Sequence, residues 1–141
     1  MKPKYHFYSN TIYALSGLKA MVKNEHSFRI ELFIIIPLFI AIWFLPLSGI
    51  EQIILGISLL FILAMECVNS AIEACIDLVS PNFHPLAKVA KDCGSAAVFI
   101  SICTAVLAWG VILFGVVSSW SCSGAPPPHL RMWLCVCCPS F

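Results

Sequence analysis

An all-α membrane protein is the fold class this sequence predicts, and three observations predict it. Of its 141 residues 60% are hydrophobic and only 11% are charged, with a mean hydropathy of +0.95, well outside the makeup of a water-soluble domain. Apolar stretches free of formal charge recur over residues 32–50, 53–65 and 96–117, each able to build a helix of bilayer length if the second continues past its end. Basic residues are placed unevenly around them. Lys2, Lys4, Lys19, Lys23 and Arg29 precede the first stretch, the turn at 46–51 has no Lys or Arg, and Lys88 and Lys91 fall between the second and third. By the positive-inside rule the N-terminus and the loop over 79–92 face the cytoplasm. The N-terminus lacks the compact apolar core of a cleavable signal, so the first helix is expected to stay.

The chain begins with an interfacial amphipathic helix over about 9–29, in which Ile12, Leu15, Leu18 and Val22 share one face and Ser9 or Asn10 can cap the start. Such a helix lies along the cytoplasmic membrane surface with its lysines toward the headgroups. A first span over about 30–47 contains Pro37 and ends near Pro46, which a helical bundle tolerates where neighbouring groups satisfy the freed carbonyl. After the tight turn "LPLSGIEQ" a second span runs over about 50–79. It stops at "SPNFHP", where Ser80, Pro81, Asn82 and Pro85 are strong turn formers. A short helix over 86–91 then passes, around Gly94, into a third span over about 93–117. Residues 1–117 form one membrane domain.

The tail over 118–141 changes composition, fits no periodic pattern and is expected to be disordered; its Cys135, Cys137, Cys138 and His129 lack zinc spacing. Cys67, Cys75, Cys93 and Cys103 lie in apolar helix and read as small buried residues. A net charge of +1 without a basic tract gives no sign of a nucleic-acid partner.

The second span carries an anomaly in "MECVNSAIEACIDLVS". At 100° per residue Asn69, Ser70, Glu73 and Asp77 all point within about 60° of Glu66. Rising 1.5 Å per residue, Glu73 lies ~10 Å from Glu66 toward the cytoplasm and Asp77 ~6 Å further. A bland reading is a polar seam gluing helices, which Asn69 and Ser70 alone would fit. Three carboxylates on one face repel one another unless cations join them, and intramembrane acids mark function by default. Divalent metal is the natural counter-charge, since Mg²⁺ takes one or two carboxylates plus phosphate oxygens.

Two more clusters stand at the cytoplasmic boundary. In "KNEHSFRIE" Glu25 and Arg29 have the spacing of an ordinary helix pair, while Glu25 combined with Glu73 completes a candidate metal site. In "NFHPLAKVAKDCGS" Lys91 offers a point charge to phosphate, Asp92 an acceptor for sugar or metal, and His84 a donor. Neither a GxxxxGK[ST] loop nor a kinase glycine loop is present, so a nucleotide site here is built on other lines.

Taken in order and spacing, "NEHSFRIE", "ECVNSAIEACID" and "AKDCGSAAV" closely resemble the prokaryotic diacylglycerol kinase family, over about residues 5–116. The resemblance implies a homotrimeric kinase of the bacterial inner membrane, multi-pass with a cytoplasmic N-terminus. Such a kinase phosphorylates diacylglycerol to phosphatidic acid with MgATP; a related branch acts on undecaprenol. It implies that Glu66 is the general base, oriented by Asn69, and that Glu25 and Glu73 hold the metal. The same resemblance assigns Tyr13, Asn82, Phe83, His84, Lys91 and Asp92, with Glu25 and Glu73, to ATP, and Arg29, Glu31, Glu66 and Ser95 to the lipid. Where family members often carry an arginine near the start of the surface helix, this chain has His6, which takes that place among the ATP contacts. Two rivals stay in view: an acidic ion relay, which has no use for Lys91 and Asp92, and a structural subunit, which would tolerate loss of Glu66.

Overall fold

The computed structural model describes the backbone of residues 7–123 and the side chains of 8–118. Within them the chain is all helical: α1 (Phe7–Asn24), α2 (His26–Ile42), α3 (Gly49–Val79) and α4 (Pro85–Ser123). His6 and the tail from residue 124 lie outside the described residues.

α1 and α2 are separate elements, joined earlier than the sequence pattern suggests. The chain breaks at Glu25, whose backbone is extended (φ −95°, ψ 118°) and whose N–H donates to Met21 O at 2.9 Å. The last carbonyls of α1 are taken by Arg29, which reaches back from α2 to donate to Val22 O (3.3 Å) and Lys23 O (3.0 Å). Carbonyls at a helix end need such donors. Arg29 therefore clamps the corner and forms no ion pair with Glu25 among the described residues.

Pro37 sits inside α2 without ending it. The turn after α2 is closed from the next helix: Gln52 Nε2 donates to Ile42 O (3.4 Å), and Ser48 with Glu51 forms a capping box at the start of α3. In that box Ser48 N–H donates to Glu51 Oε2 (2.7 Å) and Glu51 N–H donates to Ser48 Oγ (3.4 Å).

The core is a narrow seam centred on α3, built from Ile35 and Ile42 of α2, Leu47 of the turn, Leu55, Leu59 and Ile62 of α3, and Ala105 of α4. α4 meets α3 along small residues, with Gly94, Ser101 and Ala105 all buried, which lets the two backbones approach. Ser101 satisfies its own hydroxyl on Val98 O, and Ser58 does the same on Leu55 O. α4 is one continuous helix from Pro85, where the sequence suggests a short helix leading into a span. A lone Gly94 costs a helix only about 1 kcal/mol relative to Ala, too little to break one held along its length. The helix also continues past Val117 to Ser123, just before Gly124 and Pro126.

Among the described residues two helices are long and apolar enough to cross a membrane, Gly49–Val79 and the Pro85–Ser118 part of α4. Only 39% and 17% of their most apolar windows are buried, which separates them from the core helices of a soluble protein. Phe33, Phe39, Leu60, Phe99, Val106 and Phe114 all lie on the outside, an apolar surface suited to lipid or to other chains. Cys75, Cys93 and Cys103 share that exposure and Cys67 is half-buried, so the small-buried-residue reading does not hold for these four; all are free thiols. Facing lipid costs a thiol little, which is why apolar context predicted burial where there is only an outward face.

Candidate active site

The polar stripe of α3 begins in the interior and ends in the open. Glu66 is 5% exposed, Asn69 and Ser70 are buried, Glu73 is half-buried and Asp77 is exposed. Because the helix is continuous, those groups keep the single face that their spacing sets.

Packing adds acids from two other places. Glu25, at the α1–α2 corner, and Glu73 both act electrostatically on Glu66, and Glu66 acts on Glu31, which projects from the first turns of α2. Glu31 is half-buried and its Oε2 is enclosed without a hydrogen-bond partner. Among the described residues no Lys or Arg pairs with Glu25, Glu31, Glu66 or Glu73. Asn69 organises the pair on its own helix: its Nδ2 donates to Glu73 Oε1 at 3.1 Å, while its Oδ1 is buried with no partner. Four carboxylates with no cation of their own can attract one, and a buried Glu66 can take a proton from a substrate group brought against it.

A second cluster occupies the turn between α3 and α4. A cleft of about 400 Å³ is lined by Asp77, Asn82, Phe83, His84, Lys91 and Asp92, with Lys88 at its edge. Pro81 lies in the turn and Pro85 begins α4, and His84 Nδ1 accepts the N–H of Leu86 (3.2 Å), which fixes the ring at the head of α4. Phe83 is 82% exposed and presents a bare ring to the cleft. Lys91 Nζ donates to Asp77 Oδ1 at 2.6 Å across the two helices, and Lys88 pairs with Asp92 one turn along α4. Lysine donors held in place by aspartates, an aromatic face and backbone at a turn together suit a phosphorylated, ring-bearing ligand. An apolar groove of about 420 Å³ between α2 and α3, lined by Phe39, Trp43, Ile53 and Gly56, lies at the far end of α3 and contains no titratable group.

The structure thus gathers Glu25, Glu31, Glu66, Asn69 and Glu73 in one cluster and Asn82, Phe83, His84, Lys91 and Asp92 in the other. Tyr13 stands exposed on α1, Arg29 holds the α1–α2 corner, and Ser95 is exposed on α4 next to buried Gly94. Asp77, read from the sequence only as the outer end of the acidic stripe, and Lys88, given no part in the sequence-based site, line the cleft. Asp77 had a visible signal, since it continues the stripe of Glu66 and Glu73. Lys88 had only its spacing of four from Asp92.

The sequence profile described as prokaryotic diacylglycerol kinase matches residues 12–113. A diacylglycerol kinase of Haemophilus influenzae is 42% identical over 109 residues, 77% of this chain and 92% of that protein. One from Escherichia coli strain K12 is 39% identical over 103 residues, 72% of this chain and 84% of that protein. One from Pseudomonas aeruginosa is 38% identical over 105 residues, covering 74% and 85% respectively. With that extent of matching and both clusters inside it, the chain belongs to the prokaryotic diacylglycerol kinase family.

Proposed function

We propose that this chain is a lipid kinase of the inner membrane that moves the γ-phosphoryl group of ATP onto diacylglycerol, giving phosphatidic acid and ADP at the cytoplasmic surface. The observation that carries the reading is the buried Glu66 amid Glu25, Glu31 and Glu73 without a basic partner, one stretch of helix away from a cleft that offers Lys91 and the exposed ring of Phe83. Depth agrees with it. If α3 enters the bilayer near Gly49, Glu66 lies ~25 Å down the axis, close to the inner edge of a ~30 Å hydrocarbon core. Glu73 and Asp77 then lie beyond that edge. A glycerol hydroxyl resides at the same level as Glu66.

In the reaction Glu66 accepts the hydroxyl proton as the lipid oxygen bonds to the γ-phosphorus and the bond to the bridging oxygen of ADP breaks. Asn69 keeps Glu73 turned along the same face. The cleft residues Asn82, Phe83, His84, Lys91 and Asp92 are assigned to the nucleotide, with Lys91 leaving Asp77 for a phosphate oxygen; Tyr13 of α1 and His6 are assigned to it as well. Arg29, Glu31 and Ser95 are assigned to the lipid side. Glu25 and Glu73 are assigned to Mg²⁺ on the chemistry of their donors: both offer hard carboxylate oxygens, and Mg²⁺ takes one or two carboxylates with phosphate oxygens and water completing its shell; among the described residues no group of three His, Cys, Asp or Glu forms a ready-made metal site. Bound there with ATP, Mg²⁺ would neutralise the phosphate charge that the acids repel.

Supporting proposals concern the whole chain. α2, at 17 residues or ~26 Å, spans as the third crossing with help from the residues after it, and α1 lies on the cytoplasmic face with Ile12, Leu15 and Leu18 in the lipid. The uncovered apolar surface of α2–α4 suits a homotrimer, as the family resemblance implies. The deciding experiment is phosphate transfer from radiolabelled MgATP in mixed micelles, with diacylglycerol and undecaprenol side by side. Labelled phosphatidic acid is expected; undecaprenyl phosphate instead would reassign the lipid, and no product from either would sink the kinase reading.

A further inference from the structure

We propose that Gly94 is a positioning residue for the acidic cluster: because it has no side chain, α4 admits the Asn69 carboxamide that holds Glu73 beside Glu66. The inference rests on the phosphotransferase reading above and deepens it. A Cβ at position 94 would overlap Asn69 Oδ1, and would stand 3.4 Å from Asn69 Cγ and 3.7 Å from its Cα. With the Cα that close, the carboxamide cannot retreat by sliding along α3. It would have to rotate, and rotation takes Nδ2 off Glu73 Oε1, now 3.1 Å away.

Backbone conformation gives no other reason for glycine here, since Gly94 has no positive φ and sits within continuous helix. Glycine disfavours such a position relative to alanine. The neighbouring glycines of α4 differ: a Cβ at Gly110 or Gly115 meets nothing within 4 Å. Gly94 also explains how a buried Asn69 Oδ1 is tolerated without a hydrogen-bond partner. One Cα–H of Gly94 points along the direction a Cβ would take, giving the oxygen a weak polar neighbour. The polar face of α3 is thus packed against a gap in α4, and the gap sets where Glu73 stands.

The test compares Gly94→Ala with Gly110→Ala in the full chain purified in micelles. In Gly94→Ala, kcat should fall on the order of 10²-fold, the cost of a displaced catalytic constellation. The Mg²⁺ concentration for half-maximal rate should rise about tenfold or more, as when a group orienting a metal ligand is lost. Gly110→Ala should behave as wild type. Adding Gly94→Ala to Asn69→Ala should cause no further loss, because the clash needs both partners. In protein labelled with ¹⁵N-asparagine, the Asn69 side-chain amide signal, assigned by its disappearance in Asn69→Ala, should shift in Gly94→Ala and stay put in Gly110→Ala. That readout needs no turnover, so a wild type that phosphorylates no lipid would sink the kinase reading while the amide signal still decides the contact. Wild-type kcat and Mg²⁺ requirement in Gly94→Ala, multiplicative losses in the double variant, or an unmoved amide signal would each overturn the role of Gly94.

Discussion

Glu66 and its neighbours place an unusual amount of negative charge against helix interior. Such charge is costly unless something outside the chain compensates it. Glu66→Gln keeps the size of the side chain and its hydrogen-bonding capacity but cannot accept a proton. It should therefore cut kcat by at least about 10²-fold, the usual contribution of a general base, with the size-exclusion profile unchanged. A variant that turns over like wild type would remove Glu66 as the base. Glu25→Gln and Glu73→Gln should act differently, raising the Mg²⁺ needed for half-maximal rate roughly ten- to 100-fold, read from a magnesium titration at saturating ATP. Lys91 is held by Asp77 at 2.6 Å, so Asp77→Asn frees the lysine and should change KM for ATP more than kcat.

At the level of elements, the helix ends carry more of the design than their apolar faces do. The Ser48–Glu51 box starts α3 with reciprocal bonds, and Ser48→Ala should cost about 1 kcal/mol, measured by reversible denaturation in micelles. α1 touches the rest of the chain mainly at the start of α2, and Arg29 supplies its C-terminal hydrogen bonds. Arg29→Ala should speed amide exchange over residues 18–24 relative to α3, because the last carbonyls of α1 lose their donor and little packing replaces it. Exchange equal to that of the parent chain would show that membrane contact alone holds the corner.

For the whole molecule, charge asymmetry and helix number make a joint forecast. With three crossings, single cysteines at Ser9 and Asn82, in a background lacking the native thiols, should label from the cytoplasmic side of sealed vesicles and one at Ser48 from the other. Ser9 and Ser48 labelling from the same side would mean that α2 does not cross. Removing residues 124–141 should leave specific activity near that of the full chain, since both clusters and the matched region end before them.

The all-helical class, the first helix and the stripe from Glu66 to Asp77 were all readable along the chain, because each depends on the local pattern of residues within a helix. The family motifs likewise lie in short local runs. Contacts between helices were not readable: Asn69 against Gly94, Lys91 with Asp77 rather than its neighbour Asp92, and Glu25 and Glu31 drawn toward Glu66. Arg29 misled for the same reason, its spacing from Glu25 suggesting a helix pair where the break at Glu25 sends it to the carbonyls of α1. Periodicity says which side chains share a face. Which face of another helix they meet depends on where backbones can approach, and small residues such as Gly94, Ser101 and Ala105 settle that only once the helices are packed.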